Sequence, residues 1–193
     1  MKYYVWLQLC LGQGSKTFSN LLEKELLPKD VYSMTALMRK QVGVFSKGEL
    51  EKMLKTPIED AVKIIDECNK KKIKIIKYTD EKYPNTLKTI CNPPIVLYVK
   101  GSLPDFDNTP VISIVGPRKV SEFGKKASYS LSYRLGKAGF IVVSGGAVGS
   151  DTYAHIGALK ADAKTVLVMG CGFNVSYLEE NRALREHIEK CGC

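Results

Sequence analysis

The chain has 193 residues, 45% of them hydrophobic and 25% charged, with a formal net charge of +9. That length suits one large domain or two small ones, and that hydrophobic share excludes an intrinsically disordered chain. The positive excess is shared along the sequence: residues 1–110 carry 18 Lys+Arg against 13 Asp+Glu, and residues 111–193 carry 11 against 7. Such a balance fits a polyanionic partner, which gains affinity through counterion release, or a surface kept soluble by its charge.

Residues 3–55 predict short helices. Val5, Leu9, Phe18, Leu21, Leu22, Leu26 and Leu27 recur with helical rather than alternating spacing. Gly12-Gln13-Gly14-Ser15-Lys16-Thr17 separates the first two helices; its G-S-K-T lacks the spacing and the preceding strand of a P-loop. At the next helix, Thr56 is placed to cap, Pro57 suits the first turn and Glu59 completes a T-x-x-E capping box. Ile58, Ala61, Val62, Ile65 and Cys68 form its apolar face, and Lys70-Lys71-Lys72 complement the helix dipole at its end. Residues 73–78 and 95–100 predict strands, with turn chemistry at Asp80, Tyr83-Pro84 and Asn92-Pro93-Pro94 between them.

From residue 111 a strand–turn–helix pattern repeats. Strands are predicted at 111–115, 140–143 and 165–169, and helices at 121–138, near 151–161 and near 179–189. The 111–115 segment reads as a short buried-type strand. This alternation predicts an α/β fold: a Rossmann-like parallel sheet with right-handed crossovers, preceded by a small all-helical N-terminal domain. The expected division is 1–55 and 56–193.

All three predicted strands end in glycine: Gly116-Pro117-Arg118-Lys119, Ser144-Gly145-Gly146-Ala147-Val148-Gly149, and Gly170-Cys171-Gly172. In an open parallel sheet ligands bind beyond the carboxyl ends of the strands. Glycine permits close backbone approach, helix starts favour anions, and Arg118 and Lys119 add charge. A phosphate or phosphodiester is the expected guest. A dinucleotide is not: the first turn is not G-x-G-x-x-G, and no acidic residue ends the second strand to hold a ribose hydroxyl. No cofactor is expected. Ser144, Asp151 and His155 invite comparison with a catalytic triad, with Asp151 and His155 i,i+4 on one predicted helix. Ser144 is outside a G-x-S-x-G context, so His155 reads as structural or ligand-orienting and no catalytic residue is expected.

The six cysteines, Cys10, Cys68, Cys91, Cys171, Cys191 and Cys193, include no C-x-x-C, the pattern of reduced thiols in a cytoplasmic protein. A zinc site from His187, Cys191, Cys193 and Cys171 is conceivable, but C-x-C is a poor zinc signature and no metal is expected. Lys2 and the run Tyr3–Leu7 resemble a signal-peptide start, yet Gln8 and Gln13 interrupt it and no small-residue cleavage site follows. No apolar run approaches the ~20 residues that cross a bilayer, and no membrane partner is expected.

Taken in order, Val115-Gly116-Pro117-Arg118-Lys119, Ser144 through Asp151, Ala154-His155-Ile156-Gly157-Ala158-Leu159, Gly170-Cys171-Gly172, Tyr177 and Asn181 resemble the DNA-processing protein A family, also called DprA or Smf. Tyr83-Pro84, Pro93-Pro94 and Leu97-Tyr98-Val99-Lys100-Gly101 are similar to the segment preceding those motifs. The resemblance implies a helical domain joined to an extended Rossmann-like domain. It implies single-stranded DNA held in a basic pocket, RecA recombinase loading during natural transformation and recombination, self-association as a homodimer, and no catalysis. On this resemblance the DNA contacts are Gly116, Arg118, Ser144, Gly145, Gly149, Asp151, Gly170, Gly172 and Asn181; Lys119 joins them for its charge beside Arg118. Phe173 is added for base stacking, as is Tyr177, although Phe173 fits a core position equally well.

The sequence departs from the family pattern at Pro117, Val148, Ser150, Leu178 and Glu179, which weaken the expected anion site. It also stops after three βα units, where the family's sheet continues and its partner surfaces largely lie; a fragment or truncated product is the expectation, with an exposed sheet edge. The Gly12–Thr17 turn is similar to a helix-hairpin-helix turn, or is an ordinary inter-helix turn. The rival to a binding protein is a Rossmann-like nucleotide hydrolase or phosphoribohydrolase acting on a mononucleotide. That class would carry P-G-G-x-G-T, which residues 144–150 imitate only in part. A poorly folding remnant is the third reading.

Overall fold

In the computed structural model, residues 1–175 and 179–193 are described. They form two compact units, Met1–Val99 and Lys100–Cys193.

The first unit holds helices α1 (Lys2–Leu11), α2 (Lys16–Glu23), α3 (Pro28–Ser33), α4 (Ala36–Val42), α5 (Lys47–Lys55) and α6 (Ile58–Lys70), then β1 (Lys74–Lys77), the short α7 (Asn85–Lys88) and β2 (Val96–Val99). Helix α1 buries Tyr4, Val5, Trp6, Leu7 and Cys10, so it is wrapped on most sides by its neighbours. The Trp6 indole donates to the Thr56 carbonyl at 2.9 Å and meets Tyr32 edge-on. Strands β1 and β2 pair antiparallel, Ile75 opposite Tyr98, and Ile75 and Tyr98 pack against the core containing Trp6, Phe18 and Leu21.

This arrangement corrects the division expected at 55/56. Helix α6 and the hairpin complete the core begun by α1, so the break between compact units falls after Val99. The expected cap of α6 is corrected too. Thr56 ends α5, its N–H donating to the Lys52 carbonyl, and Pro57 takes the cap position without a side-chain bond. The capping box that forms is Ser46 with Glu49, at the start of α5. Leu9, Leu27 and Val62, expected inside, are exposed.

The second unit is the α/β part. Strands β3 (Val111–Ser113), β4 (Ile141–Ser144) and β5 (Thr165–Leu167) form a parallel sheet in the order β3-β4-β5. They alternate with α8 (Glu122–Lys137), α9 (Ser150–Lys160), a single 3₁₀ turn (Glu179–Asn181) and α10 (Arg182–Cys191). The β3–α8–β4 and β4–α9–β5 crossovers step across the sheet in the same direction, so one handedness puts α8 and α9 on the same face. There Ile114, Val142, Ala154 and Ala158 form the core, with Ile112 and Leu135 against it. Small residues let α8 and α9 approach closely: Ser132 and Gly136 are buried in the seam, and Gly157 faces the Tyr129 carbonyl. Along the outer side of β5, the Leu167 amide donates to the Cys193 carbonyl and the Cys193 amide to Thr165.

Strand β3 is not the fully buried strand its composition predicts. Helices α8 and α9 cover the face carrying Ile112 and Ile114, while Val111, Ser113 and Val115 are exposed, Val115 to 76%. An edge position explains it, since an edge strand of a parallel sheet lacks the neighbour on one side that buries a central one.

Candidate nucleic-acid interface

The carboxyl ends of β3, β4 and β5 open into three loops, and two contacts lock the first to the second. Gly149 has φ +101° and its Cα lies against the Pro117 and Arg118 carbonyls. The Ser150 amide donates to the Pro117 carbonyl at 3.2 Å. Gly116 in turn faces the Ser150 side chain, leaving no room for a Cβ. Glycine at 116 and 149 is therefore needed for loop-to-loop contact, beyond any approach to a ligand. Arg118 and Lys119 are held exposed at this junction, beside the start of α9.

The second loop is braced by buried polar side chains. Asp151, in the first turn of α9, accepts the Ala147 amide at 3.2 Å and lies 3.0 Å from where a Cβ on Gly145 would stand. Thr152 donates to the Ala147 carbonyl at 3.0 Å. Asn181 reaches in from the 3₁₀ turn, its Nδ2 donating to the Gly146 carbonyl at 3.0 Å and to Thr152 Oγ1 at 2.9 Å. The Ser144 hydroxyl donates to the Ile114 carbonyl at 2.7 Å, tying β4 to the end of β3.

Ser144, Asp151 and Asn181, expected as DNA contacts, are thus all buried and each is hydrogen-bonded inside the protein, Asp151 through Oδ2. Their observed part is to hold loops. The amides of Ala147 and Ser150 are likewise taken by Asp151 and Pro117, so the α9 start offers fewer donors to an anion than its glycines suggest. Gly170 and Gly172 stand on an exposed loop with open space at their Cα atoms. Phe173 is 37% exposed, with Lys100 Nζ 5.8 Å from its ring centroid, so it is not a core residue. Tyr177 and Leu178 lie outside the described residues.

The triad comparison fails on geometry. Ser144 Oγ donates to a carbonyl, and His155 Nδ1 pairs with Thr165 Oγ1 at 2.8 Å rather than with Asp151. Thr165 donates its one proton to the Val142 carbonyl at 2.9 Å. It must therefore accept from Nδ1–H, which leaves Nε2 bare, buried and without a partner. Burial pushes the His155 pKa down to about 4, opposed by the nearby Asp151 charge. Sequence reasoning missed Thr152 and Thr165; both are ordinary in sequence and become visible only through their partners across 29 and 10 positions. Among the described residues no group of three or more His, Cys, Asp or Glu is placed to hold a metal. At the N-terminal turn, the Ser15 and Thr17 hydroxyls donate to the Glu49 carboxylate.

A parallel sheet with glycine loops at its carboxyl edge, two of them joined backbone to backbone, defines a Rossmann-like α/β protein. The family model for "DNA recombination-mediator protein A" matches residues 74–193, and the chain belongs to that family. It is 35% identical over 118 residues to the DNA processing protein DprA of Bacillus subtilis, covering 61% of this chain and 40% of that protein. It is 28% identical over 190 residues to protein Smf of Synechocystis, covering 96% and 48%. The chain thus spans less than half the length of these relatives. The solved structure of Streptococcus pneumoniae DprA superposes with a TM-score of 0.77 at 24% identity, over 98% of this chain and 65% of that one, a likeness of fold. A structure of Helicobacter pylori DNA processing protein A, described for its single-stranded DNA binding mode, matches at 26% identity and a TM-score of 0.53, over 61% and 52%. No helix among the described residues is long and apolar enough to cross a membrane.

Proposed function

We propose that this chain binds single-stranded DNA, without catalysis, at the rim formed by the three glycine loops. The observation that supports this reading is the contact of Gly149 with the Pro117 and Arg118 carbonyls, at a junction whose sequence carries two exposed cations, Arg118 and Lys119. Family membership and the DNA-binding relative support the choice of ligand. Gly170, Gly172 and Phe173 supply exposed backbone and one exposed ring from the third loop, suited to phosphate and base respectively. Transfer of the strand to RecA recombinase in transformation and recombination, a cytoplasmic setting, and self-association belong to the same proposal.

Binding of this kind is sequence-tolerant and steeply dependent on salt. The test is a salt titration of fluorescent oligonucleotide binding with the native chain and with Arg118→Ala. The native chain should lose affinity linearly in log salt. Arg118→Ala should weaken all sequences alike and reduce the slope by about 1. A flat salt response, or an Arg118→Ala variant of native affinity and slope, overturns the proposal.

A further inference from the structure

The outer edge of the α8–α9 pair carries an ordered row of rings and cations that the rim does not use. Lys125, Tyr129, Tyr133 and Lys137 fall at four-residue intervals, one face of α8 about 18 Å long. Tyr129 and Tyr133 are nearly parallel, their planes 10° apart and centroids 6.2 Å apart, so their faces point the same way. Lys137 Nζ lies 5.8 Å from the Tyr133 ring, and Lys125 Nζ the same distance from Tyr153 in the first turn of α9.

The rings stand at the margin of the helix seam, Tyr133 exposed and Tyr129 and Tyr153 half-buried. The seam closes on Ser132, whose hydroxyl donates to the Ala154 carbonyl, on Gly136, and on Gly157 against the Tyr129 backbone. Tyr133 remains 36% exposed beyond that seam. Both cations have acidic neighbours, Glu122 at 2.6 Å from Lys125 and Asp162 at 3.8 Å from Lys137. Lys137–Asp162 is an exposed pair and Lys125–Glu122 pairs a half-buried cation with an exposed carboxylate, surface contacts of small net worth that another anion can replace.

We infer that this row is a second segment of a single-stranded nucleic-acid path, continuing the rim down the flank of α8. The inference rests on the rim reading above for the identity of the ligand. Continuity supports it, because Lys125 and Tyr153 sit in the first turns of the two helices that the first and second loops lead into. Chemistry supports it as well: aromatic faces accept any base, and flanking ammonium groups follow the backbone.

The experiment measures affinity against oligothymidylate length, from about 4 to about 16 nucleotides, for the native chain, Tyr129→Leu/Tyr133→Leu and Arg118→Ala. The native chain should gain affinity with length. The double leucine variant should keep native affinity for the shortest oligomer and lose about tenfold or more of the gain for the longest. Arg118→Ala should weaken every length alike. Identical length profiles for the native and double leucine chains overturn the path along α8 and leave the rim standing. Native affinity in Arg118→Ala overturns the rim reading and, with it, a path that continues the rim. Photocrosslinking of the native chain with iodouracil-bearing oligomers guards against misfolding of the variant. Adducts on Tyr129, Tyr133 or Tyr153 support the path, and adducts confined to the loops overturn it.

Discussion

Replacing Gly149 by alanine attacks the contact on which the proposed interface depends. Gly149 adopts φ +101° and ψ −132°, a region that costs a residue with a side chain about 1–3 kcal/mol. The added Cβ would also stand 2.8 Å from the Arg118 carbonyl carbon. That is a backbone atom, able to yield only if the first loop moves as a whole. Overpacking of this kind costs about 1–3 kcal/mol, so the two effects together amount to about 4 kcal/mol if the loop stays. If it retreats, the energetic cost is smaller but the Ser150–Pro117 bond and the position of Arg118 are lost. Gly139→Ala is the control: Gly139 has φ +88° with open space where its Cβ would go, so it carries backbone strain alone, about 1–2 kcal/mol. Urea unfolding with an unchanged slope reads the stabilities, and oligonucleotide anisotropy reads the interface. Gly149→Ala should have the lower midpoint of the two and the weaker binding. A Gly149→Ala chain no less stable than Gly139→Ala, and binding with native affinity, would refute the claim that this junction positions Arg118.

The buried His155 makes stability depend on acid. Its folded pKa of about 4 lies below the unfolded value near 6.5, so the unfolded chain binds the extra proton between those values. This contribution is complete above pH 6.5 and is lost as pH falls toward 4, by about 2 kcal/mol at pH 5. His155→Phe should flatten that part of the stability–pH curve, and an unchanged curve counts against burial as the cause. Asn181→Ala should lower stability by about 1–3 kcal/mol, because the Gly146 carbonyl loses its donor and Thr152 one of its partners. It should also speed amide exchange at residues 145–149, and exchange at the native rate would show that another group holds that loop. Trp6→Phe removes the donor to the Thr56 carbonyl and should cost about 1–3 kcal/mol by chemical denaturation; no loss would mean that water satisfies that carbonyl.

The α/β unit was legible because each of its strands is short, apolar and followed within a few residues by glycine. What escaped was set by tertiary neighbours. Thr56 has the residue pattern of a helix cap, but α5 runs up to it and Trp6 takes its carbonyl. The composition of β3 says buried; its edge position exposes half of it. At the interface, glycine spacing located all three loops. Spacing cannot tell which polar side chains turn inward, so Ser144, Asp151 and Asn181 read as ligand contacts when their bonds are to Ile114, Ala147 and Gly146.

That inward turn bears on how a nucleic acid would be read. Selecting one base over another requires donors and acceptors aimed at base edges. Here the carboxylate, the amide and the serine hydroxyl nearest the rim are bonded within the protein and buried. Arg118, Lys119, the Gly170–Gly172 backbone and the ring of Phe173 remain on the exposed side. Cations and backbone groups recognise phosphate, and a ring accepts any base by its face, so this set favours a strand without favouring a sequence. A double helix, whose stacked bases offer no free face to Phe173, would keep the phosphate contacts and lose the stacking. Competition between single- and double-stranded oligonucleotides of one sequence should therefore favour the single strand. Phe173→Ala should narrow that preference while leaving the salt slope unchanged, since it removes a ring and no charge.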